Sequence, residues 1–210
     1  MRYPEIYDIE NFESWKTKFL RKEVLSREWD LMSYEVCPDV FEIPIFSDEY
    51  CNKLVRNLTN VDVVKLSIWG HDCEEIDSLP EQFDLTILNL IKEYLIGAIY
   101  HHWTVDSLAF QKMKIKNHLI RFVKGQDLRV RHDSSIISCY VKFDSESEGG
   151  ELFFPKYDFT LKPKQGHLYF YPGRLTHRYG INLIKSGINH SLFTYFTEIL
   201  VPLNKFDLQN

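Results

Sequence analysis

The feature that most constrains the fold is a regular series of short β-like runs that fills the C-terminal half of the chain. Turn-forming residues separate the runs, as at Glu148-Gly149-Gly150 and at Pro172-Gly173. Many short strands with a turn about every eight to twelve residues indicate a β-sandwich or barrel. We therefore predict a jelly-roll core over about residues 108–200. Its strands are expected at 112–123, 134–143, 150–154, 158–161, 166–171, 176–181 and 190–200.

The N-terminal half carries helical patterns instead. Phe12, Trp15 and Phe19 recur at helical spacing, and an apolar stripe from Phe83 to Ala98 marks a longer helix. We divide the chain into an N-terminal helical arm and a single α+β domain in which helices pack against the jelly roll. The arm covers residues 1–30 and the domain covers residues 31–210. Helices are predicted over 11–29, 48–58 and 80–101, and further strands over 40–46 and 61–69.

Charge and apolar runs argue against several classes of protein. The chain has 25 Lys and Arg against 30 Asp and Glu, a formal net charge of −5, which leaves no basic footprint for nucleic acid. No apolar run is long enough to cross a bilayer, and the first residues lack the apolar core of a secretory signal. These features predict a soluble, intracellular (cytoplasmic) protein without a membrane span. The cysteines lack a CxxC spacing, which argues against zinc, and whether Cys37 and Cys51 pair stays open.

One short motif points to a particular chemistry. Residues 128–133 read Leu-Arg-Val-Arg-His-Asp. A His-x-Asp pair at the start of a barrel strand, completed by a second histidine later in the chain, holds Fe(II) and leaves open positions for co-substrate and oxygen. Here the first slot of the pair is Arg131. A guanidinium stays protonated and has no lone pair for a metal, so the motif predicts that the iron has been lost.

With that scaffold in place, several motifs resemble one family. The chain resembles the C-terminal hydroxylase domain of procollagen lysyl hydroxylases, within the Fe(II)/2-oxoglutarate oxygenases. The resemblance implies a double-stranded β-helix, the jelly roll of these oxygenases, with supporting helices from the N-terminal half. The matching segments are Cys37-Pro38-Asp39-Val40, Pro44-Ile45-Phe46-Ser47, Arg131-His132-Asp133-Ser134-Ser135, Glu148-Gly149-Gly150, Tyr157-Asp158 and Pro172-Gly173-Arg174-Leu175-Thr176-His177.

The resemblance also assigns each functional position of the family to one residue here. The first metal ligand falls on Arg131, the carboxylate ligand on Asp133 and the second histidine on Tyr179. The basic residue that grips 2-oxoglutarate falls on Asn189. Only Asp133 keeps the family's side chain, because a tyrosine ligates iron only as a phenolate and an asparagine lacks the charge of arginine. We therefore expect a vestigial metal site and a vestigial 2-oxoglutarate site, with no catalytic residue.

Two histidines are candidates to rebuild the iron site. His177 shares a strand face with Tyr179 and would reach the site after a two-residue slip of the strand. His132 adjoins Asp133 and is the weaker candidate, because neighbours along a strand point to opposite faces. If no metal binds, we expect Arg131 to neutralise Asp133 as an ion pair in place of the iron, with Tyr179 filling the volume of the lost histidine.

Two functions of different classes follow from the resemblance. The first is a catalytically inactive pseudo-oxygenase domain, retained for protein binding or structural assembly, with no cofactor. Its partner would be another protein or a second copy, paired through the apolar stretch 192–203. The alternative is an active Fe(II)/2-oxoglutarate-dependent dioxygenase that hydroxylates a lysyl or prolyl side chain with a displaced ligand set. The three changed positions favour the first.

Overall fold

Two antiparallel sheets face each other in this computed structural model, which describes residues 2–28, 32–59, 61–68, 71–76, 79–104 and 113–198. The predicted α+β jelly roll is confirmed. The strands are β1 (Tyr34–Cys37), β2 (Val40–Pro44), β3 (Val63–Ile68), β4 (His71–Ile76), β5 (Met113–Val123), β6 (Leu128–Arg131), β7 (Ile137–Lys142), β8 (Leu152–Phe154), β9 (Phe159–Leu161), β10 (His167–Pro172), β11 (Tyr179–Ile181) and β12 (Ile188–Glu198).

The order of the strands defines the two layers. The larger sheet has eight strands in the order β1-β2-β10-β7-β12-β5-β4-β3. The smaller sheet has four strands in the order β6-β11-β8-β9. The strand that carries the Arg-His-Asp motif, β6, therefore lies beside β11, although about 50 residues separate them in the chain. This pairing places the two halves of the candidate site next to each other.

Helices from the N-terminal half support the larger sheet. They are α1 (Phe12–Phe19), α2 (Lys22–Leu25), α3 (Asp48–Leu58), α4 (Glu81–Leu90) and α5 (Ile96–His102). Ser47 caps α3 as its residue type predicts, since its side chain accepts a hydrogen bond from the Tyr50 amide. The predicted helix over 80–101 is present, and a π-helical turn over Ile91–Leu95 joins α4 to α5.

The prediction of one helix over residues 11–29 is wrong. Helix α1 ends at Phe19 because Leu20 leaves the helical conformation for an extended one, with ψ at 157°. Leu20 then pairs with Phe46 in an isolated β-bridge, and α2 begins two residues later at Lys22. A contact with a distant segment thus overrides the local helical pattern. Residues 29–31 lie outside the described part of the chain.

Alternation along the central strand β7 divides the core in two. Cys139 and Val141 belong to the cluster that joins the larger sheet to the helices. Tyr140 lies between them in sequence and belongs to the cluster between the two sheets, together with Tyr171 and Tyr179. The space between the sheets is thus filled largely by aromatic side chains, several of which end in a hydroxyl group. Polar groups placed there are shielded from water.

The apolar stretch 192–203 stays a predicted dimer interface, and its described part packs within the larger sheet. Up to residue 198 it belongs to β12, which lies between β5 and β7 in the larger sheet. Leu192, Phe193 and Phe196 are buried there. Residues 199–203 lie outside the described part of the chain. Packing within the protomer therefore accounts for the described part of this segment.

The positions of the cysteines bear on a possible disulfide, and the character of the helices bears on a possible membrane span. Cys37, Cys51, Cys73 and Cys139 are all buried and none of the four forms a disulfide, so Cys37 and Cys51 do not pair. No helix among the described residues has the length and apolar character that a membrane crossing requires.

Candidate functional site

A single buried carboxylate lies at the centre of the candidate site. Asp133 follows β6 directly, and only 3% of its surface is exposed. The Ser138 hydroxyl donates a hydrogen bond of 2.8 Å to its Oδ2 atom, and Ser138 is in turn 2.7 Å from the Ser135 hydroxyl. Burial raises the pKa of the Asp133 carboxyl above its ordinary value of 3.8, although Ser138 and Arg131 oppose the shift. The ionised form is therefore costly at this position.

Arg131 is the nearest cation to this carboxylate. Its Nε atom lies 3.6 Å from Oδ1 of Asp133, close enough for an ion pair and too far for a good hydrogen bond. The Arg131 side chain is 28% exposed, and its Nε atom has no hydrogen-bond partner. The register of β6 against β11 shifts between Leu128 and Arg131, as a β-bulge produces.

Tyr179 completes the group from the neighbouring strand. In the ladder it lies directly opposite Arg131, and it is fully buried. Its hydroxyl donates to Oδ1 of Asp133 over 3.4 Å and lies 3.5 Å from the Tyr195 hydroxyl. Burial, with the nearby Tyr195, raises the pKa of Tyr179 well above that of a free phenol. The phenol therefore keeps its proton at neutral pH.

Asn189 belongs to a separate polar cluster in the same interior. It is fully buried on β12, and its side-chain oxygen accepts a hydrogen bond of 2.6 Å from Ser191. The Ser191 hydroxyl lies 2.8 Å from that of Tyr140, whose pKa burial raises to about 12. All three side chains are neutral, so within this cluster no residue offers the positive charge that a carboxylate ligand needs.

The structure does not bring the two substitute histidines to Asp133. His177 is buried, with Nε2 2.9 Å from the Pro38 carbonyl and 3.3 Å from the Tyr157 hydroxyl. Burial lowers the pKa of His177, so its neutral form is favoured. His132 is exposed to solvent. The two-residue slip that would bring His177 into the site is absent from the β6–β11 register, because Tyr179 occupies that position.

A cavity of about 160 Å³ opens beside Arg131. Side chains of β5, β6 and β12 line it, and among its polar walls are Cys73, His118 and Tyr195. Sequence analysis did not select these three residues. Two of them could have been found from the alternation of side chains along predicted strands, because residues two positions apart share a face. His118 precedes the inward-facing Ile120 by two positions, and Tyr195 follows the inward-facing Phe193 by two. His118 lies 2.5 Å from Glu75 on β4, a strand that was not predicted.

Comparison with known proteins identifies homologues. The chain is 24% identical over 199 residues to human procollagen-lysine,2-oxoglutarate 5-dioxygenase 2, covering 87% of this chain and 27% of that protein. It is 24% identical over 201 residues to the multifunctional procollagen lysine hydroxylase and glycosyltransferase of Caenorhabditis elegans, covering 83% and 26%. The chain thus spans about a quarter of the length of these relatives. No protein-family model matches it.

Solved structures show the same fold. A collagen prolyl hydroxylase from Paramecium bursaria Chlorella virus-1, solved with 2-oxoglutarate, superposes with a TM-score of 0.58 at 17% identity, covering 79% of this chain and 99% of that one. A 2OG-Fe(II) oxygenase family oxidoreductase from Burkholderia pseudomallei gives 0.58 at 13% identity, covering 76% and 86%. The resemblance predicted from the motifs is confirmed: the homologues are procollagen lysyl hydroxylases, and the fold is that of the 2OG-Fe(II) oxygenases.

These findings contradict the expectation that the chain has no cofactor. The human relative is named as a 2-oxoglutarate 5-dioxygenase, so the homologues point to a co-substrate that the expectation left out. The described side chains nevertheless fit an Fe(II) ion poorly, because Arg131 offers no lone pair and Tyr179 keeps its proton. Within the described ranges no three His, Cys, Asp or Glu side chains converge to hold a metal.

Proposed function

We propose that this chain is a peptide-directed domain of the lysyl and prolyl hydroxylase type, which takes a lysyl or prolyl side chain into the mouth of its barrel. The observation that carries the proposal is the buried Asp133 carboxylate, which contacts Ser138 of the larger sheet and Tyr179 of the smaller sheet. Similarity to a procollagen-lysine dioxygenase over 87% of the chain supports the same substrate class.

The first form of this proposal is hydroxylation of the bound side chain with Fe(II) and 2-oxoglutarate. The relatives support it, since one is named as a 2-oxoglutarate dioxygenase and the other as a lysine hydroxylase, and the similarity runs along most of the chain. In this form Asp133 is the ligand retained from the family, and the other ligands are displaced from the positions that Arg131 and Tyr179 occupy. Fe(II) would supply the activation of oxygen that the protein's own side chains lack.

The second form is binding without hydroxylation, in a domain kept for assembly with another protein. A specific observation favours it: both Arg131 and Tyr179 direct polar atoms at Asp133, at 3.6 and 3.4 Å, and so offset part of the cost of its burial without a metal. Asn189 also favours this form. The resemblance assigns the binding of the distal carboxylate of 2-oxoglutarate to this position, and an asparagine side chain has no charge to pair with it.

Thermal unfolding separates the two forms. Metal-stripped protein is heated alone, with Fe(II) under anaerobic conditions or with Mn(II), and then with 2-oxoglutarate added. A ligand that binds only the folded state stabilises it by about 2.7 kcal/mol at one hundred times its dissociation constant. A metal-dependent rise in Tm that grows with 2-oxoglutarate, and that Asp133→Asn abolishes, supports hydroxylation. Mass spectrometry of a lysyl- and prolyl-containing peptide then shows whether 16 Da is gained, a mass of about one oxygen atom.

A reversal variant tests whether the pocket can still hold the family's ligands. Arg131→His, Tyr179→His and Asn189→Arg together restore the side chains that the family motif places there. If only these residues separate the chain from an ordinary hydroxylase, the triple variant gains a metal-dependent rise in Tm. Adding Asp133→Asn is the matched control and should remove the gain. A triple variant that folds and still ignores metal would favour the second form.

A further inference from the structure

The guanidinium of Arg131 has more hydrogen-bonding capacity than the described chain uses. It carries five N–H donors and stays charged at any physiological pH. Among the described residues its one polar contact is the ion pair with Asp133, whose 3.6 Å separation exceeds hydrogen-bond distance. The Nε atom is buried without a partner. A largely buried cation with unused donors is stabilised when an oxyanion approaches it.

The cavity of about 160 Å³ lies against this guanidinium and has room for such an anion. Most of its wall is apolar, with Ile120 and Phe122 from β5, Leu128 from β6 and Phe193 from β12. The β-bulge in β6 brings Leu128 and Arg131 to the same cavity although they lie three positions apart. A ligand that fits these walls has an apolar body as well as an anionic end.

The charges around the cavity limit the ligand to one negative group. His118 also lines the cavity, but its Nδ1 atom lies 2.5 Å from the Glu75 carboxylate, which balances any charge on the ring. Arg131 is then the only permanent cation among the cavity-lining residues. Asp133 also receives contacts from Ser138 at Oδ2 and from Tyr179 at Oδ1, and Arg131 approaches it only through Nε, so the terminal nitrogens of the guanidinium can take a second carboxylate.

We propose that the cavity beside Arg131 binds a small organic monocarboxylate with an apolar body, whose carboxylate pairs with the Arg131 guanidinium. A cavity of about 150 Å³ holds a molecule of the size of benzene, so a cavity of 160 Å³ suits an acid of about four to six carbons. The site goes beyond the proposed function, since it needs neither iron nor 2-oxoglutarate. A dicarboxylate would place its second charge against Phe122 and Phe193.

Calorimetric titration of chelator-treated protein tests the site independently of any metal. The probe is 3-methylbutanoate, and its neutral analogue 3-methylbutanamide measures the part of the affinity that is due to charge. Loss of a charge-assisted pair weakens binding by about tenfold or more. We expect that loss for the amide and for Arg131→Gln, and a smaller loss for Arg131→Lys, which keeps the charge beside Asp133. Arg129→Gln, an exposed arginine on the same strand, should bind as the wild type does.

Three results would overturn the proposal. The first is no heat of binding for 3-methylbutanoate at millimolar concentration with folded wild-type protein. The second is equal affinity of the acid and the amide, or of the wild type and Arg131→Lys and Arg131→Gln. The third is tighter binding of 2-oxoglutarate than of 3-methylbutanoate in the absence of metal, since the cavity would then take a dicarboxylate. None of these results depends on whether the protein hydroxylates a peptide.

Discussion

At the scale of single residues, the main feature of the candidate site is the free-energy cost of removing one carboxylate from water. Asp133 is buried, and each of three neighbouring side chains offsets only part of the cost of burying its charge. Ser138 gives a hydrogen bond of normal length, while the contacts of Arg131 and Tyr179 are long. The raised pKa of Asp133 shows that burial outweighs these contacts. The charge is therefore held at a cost in stability, as is common where a fold serves a function.

That cost predicts how stability depends on pH. Because the pKa of Asp133 is higher in the folded than in the unfolded protein, its contribution to stability is largest below about pH 4 and is lost as the pH rises through the folded value. Asp133→Asn removes this loss, so we expect the variant to exceed the wild type in free energy of unfolding by an amount that grows with pH. Urea denaturation between about pH 4 and pH 7 measures the difference.

An exposed carboxylate provides the control for that measurement. Asp62→Asn removes the same charge from the surface, and its difference from the wild type is subtracted from that of Asp133→Asn at each pH. A flat difference for Asp133→Asn after this subtraction would show that the surrounding groups compensate the buried charge fully.

Two substitutions at Tyr179 distinguish the contribution of its side-chain volume to stability from that of its hydroxyl group. Tyr179→Phe removes two hydroxyl contacts of 3.4 and 3.5 Å, and because they are long we expect a cost below about 1 kcal/mol. Tyr179→Ala empties a fully buried position and should cost about 3 to 5 kcal/mol. Denaturant unfolding of both variants gives the comparison. A loss above about 2 kcal/mol for the phenylalanine variant would mean that the hydroxyl is essential to Asp133.

At the scale of elements, one turn holds two loops in close contact. Gly149, between β7 and β8, has a φ of +81°, and a Cβ atom there would lie 2.0 Å from the Leu183 carbonyl oxygen. The same loop accepts a hydrogen bond of 2.9 Å from the Lys185 amide through the Glu148 carbonyl. The loop before β8 and the loop before β12 thus pack backbone to backbone.

A pair of glycine variants isolates that contact. Gly149→Ala must both adopt a left-handed conformation and displace Leu183. Gly125→Ala meets the first requirement alone, since φ is +88° there and nothing lies within 4 Å of the added carbon. We expect about 1 kcal/mol for Gly125→Ala and at least about 2 kcal/mol more for Gly149→Ala. Similar losses in thermal unfolding would show that the loop yields easily.

The strands and helices differ in how far they can be predicted from the sequence. Most strands of the jelly roll were predictable because turn residues mark their ends, but β6 was missed, since it lies between the runs predicted at 112–123 and 134–143. Asp133 and Tyr179, which the resemblance selected, lie in contact. The break at Leu20 was not predictable, because it depends on a partner in the distant segment at Phe46. The cavity was missed for a similar reason: its residues come from four strands, and a β-bulge decides which side chains of β6 face it.

At the scale of the whole molecule, the N-terminal helix is part of the main core. Trp15 and Phe19 are buried, and the Trp15 ring lies 5.4 Å from the ring of Tyr50 on α3. The Trp15 indole donates a hydrogen bond of 2.9 Å to the Ile6 carbonyl. These contacts tie the start of the chain to the helix that covers the larger sheet, so unfolding of α1 and of the sheet should be coupled.

Trp15→Ala tests that coupling. We expect a loss of about 3 to 5 kcal/mol, with far-UV circular dichroism and tyrosine fluorescence still following a single transition. Leu85→Ala, an exposed apolar residue on α4, serves as the control and should change stability by less than about 0.5 kcal/mol. Two separate transitions in the tryptophan variant would mean that the arm folds independently of the sheet.

The reactivity of the buried thiols measures how often the structure around them opens. Burial raises the pKa of Cys51 and Cys139, and alkylating reagents attack the thiolate, so neither reacts until its surroundings open. Cys51 lies on α3 and Cys139 on β7 at the middle of the larger sheet. Their alkylation rates, read by mass spectrometry, therefore compare the breathing of the helical layer with that of the sheet centre. No label has to be introduced to follow which layer loosens first when a ligand enters or leaves the barrel.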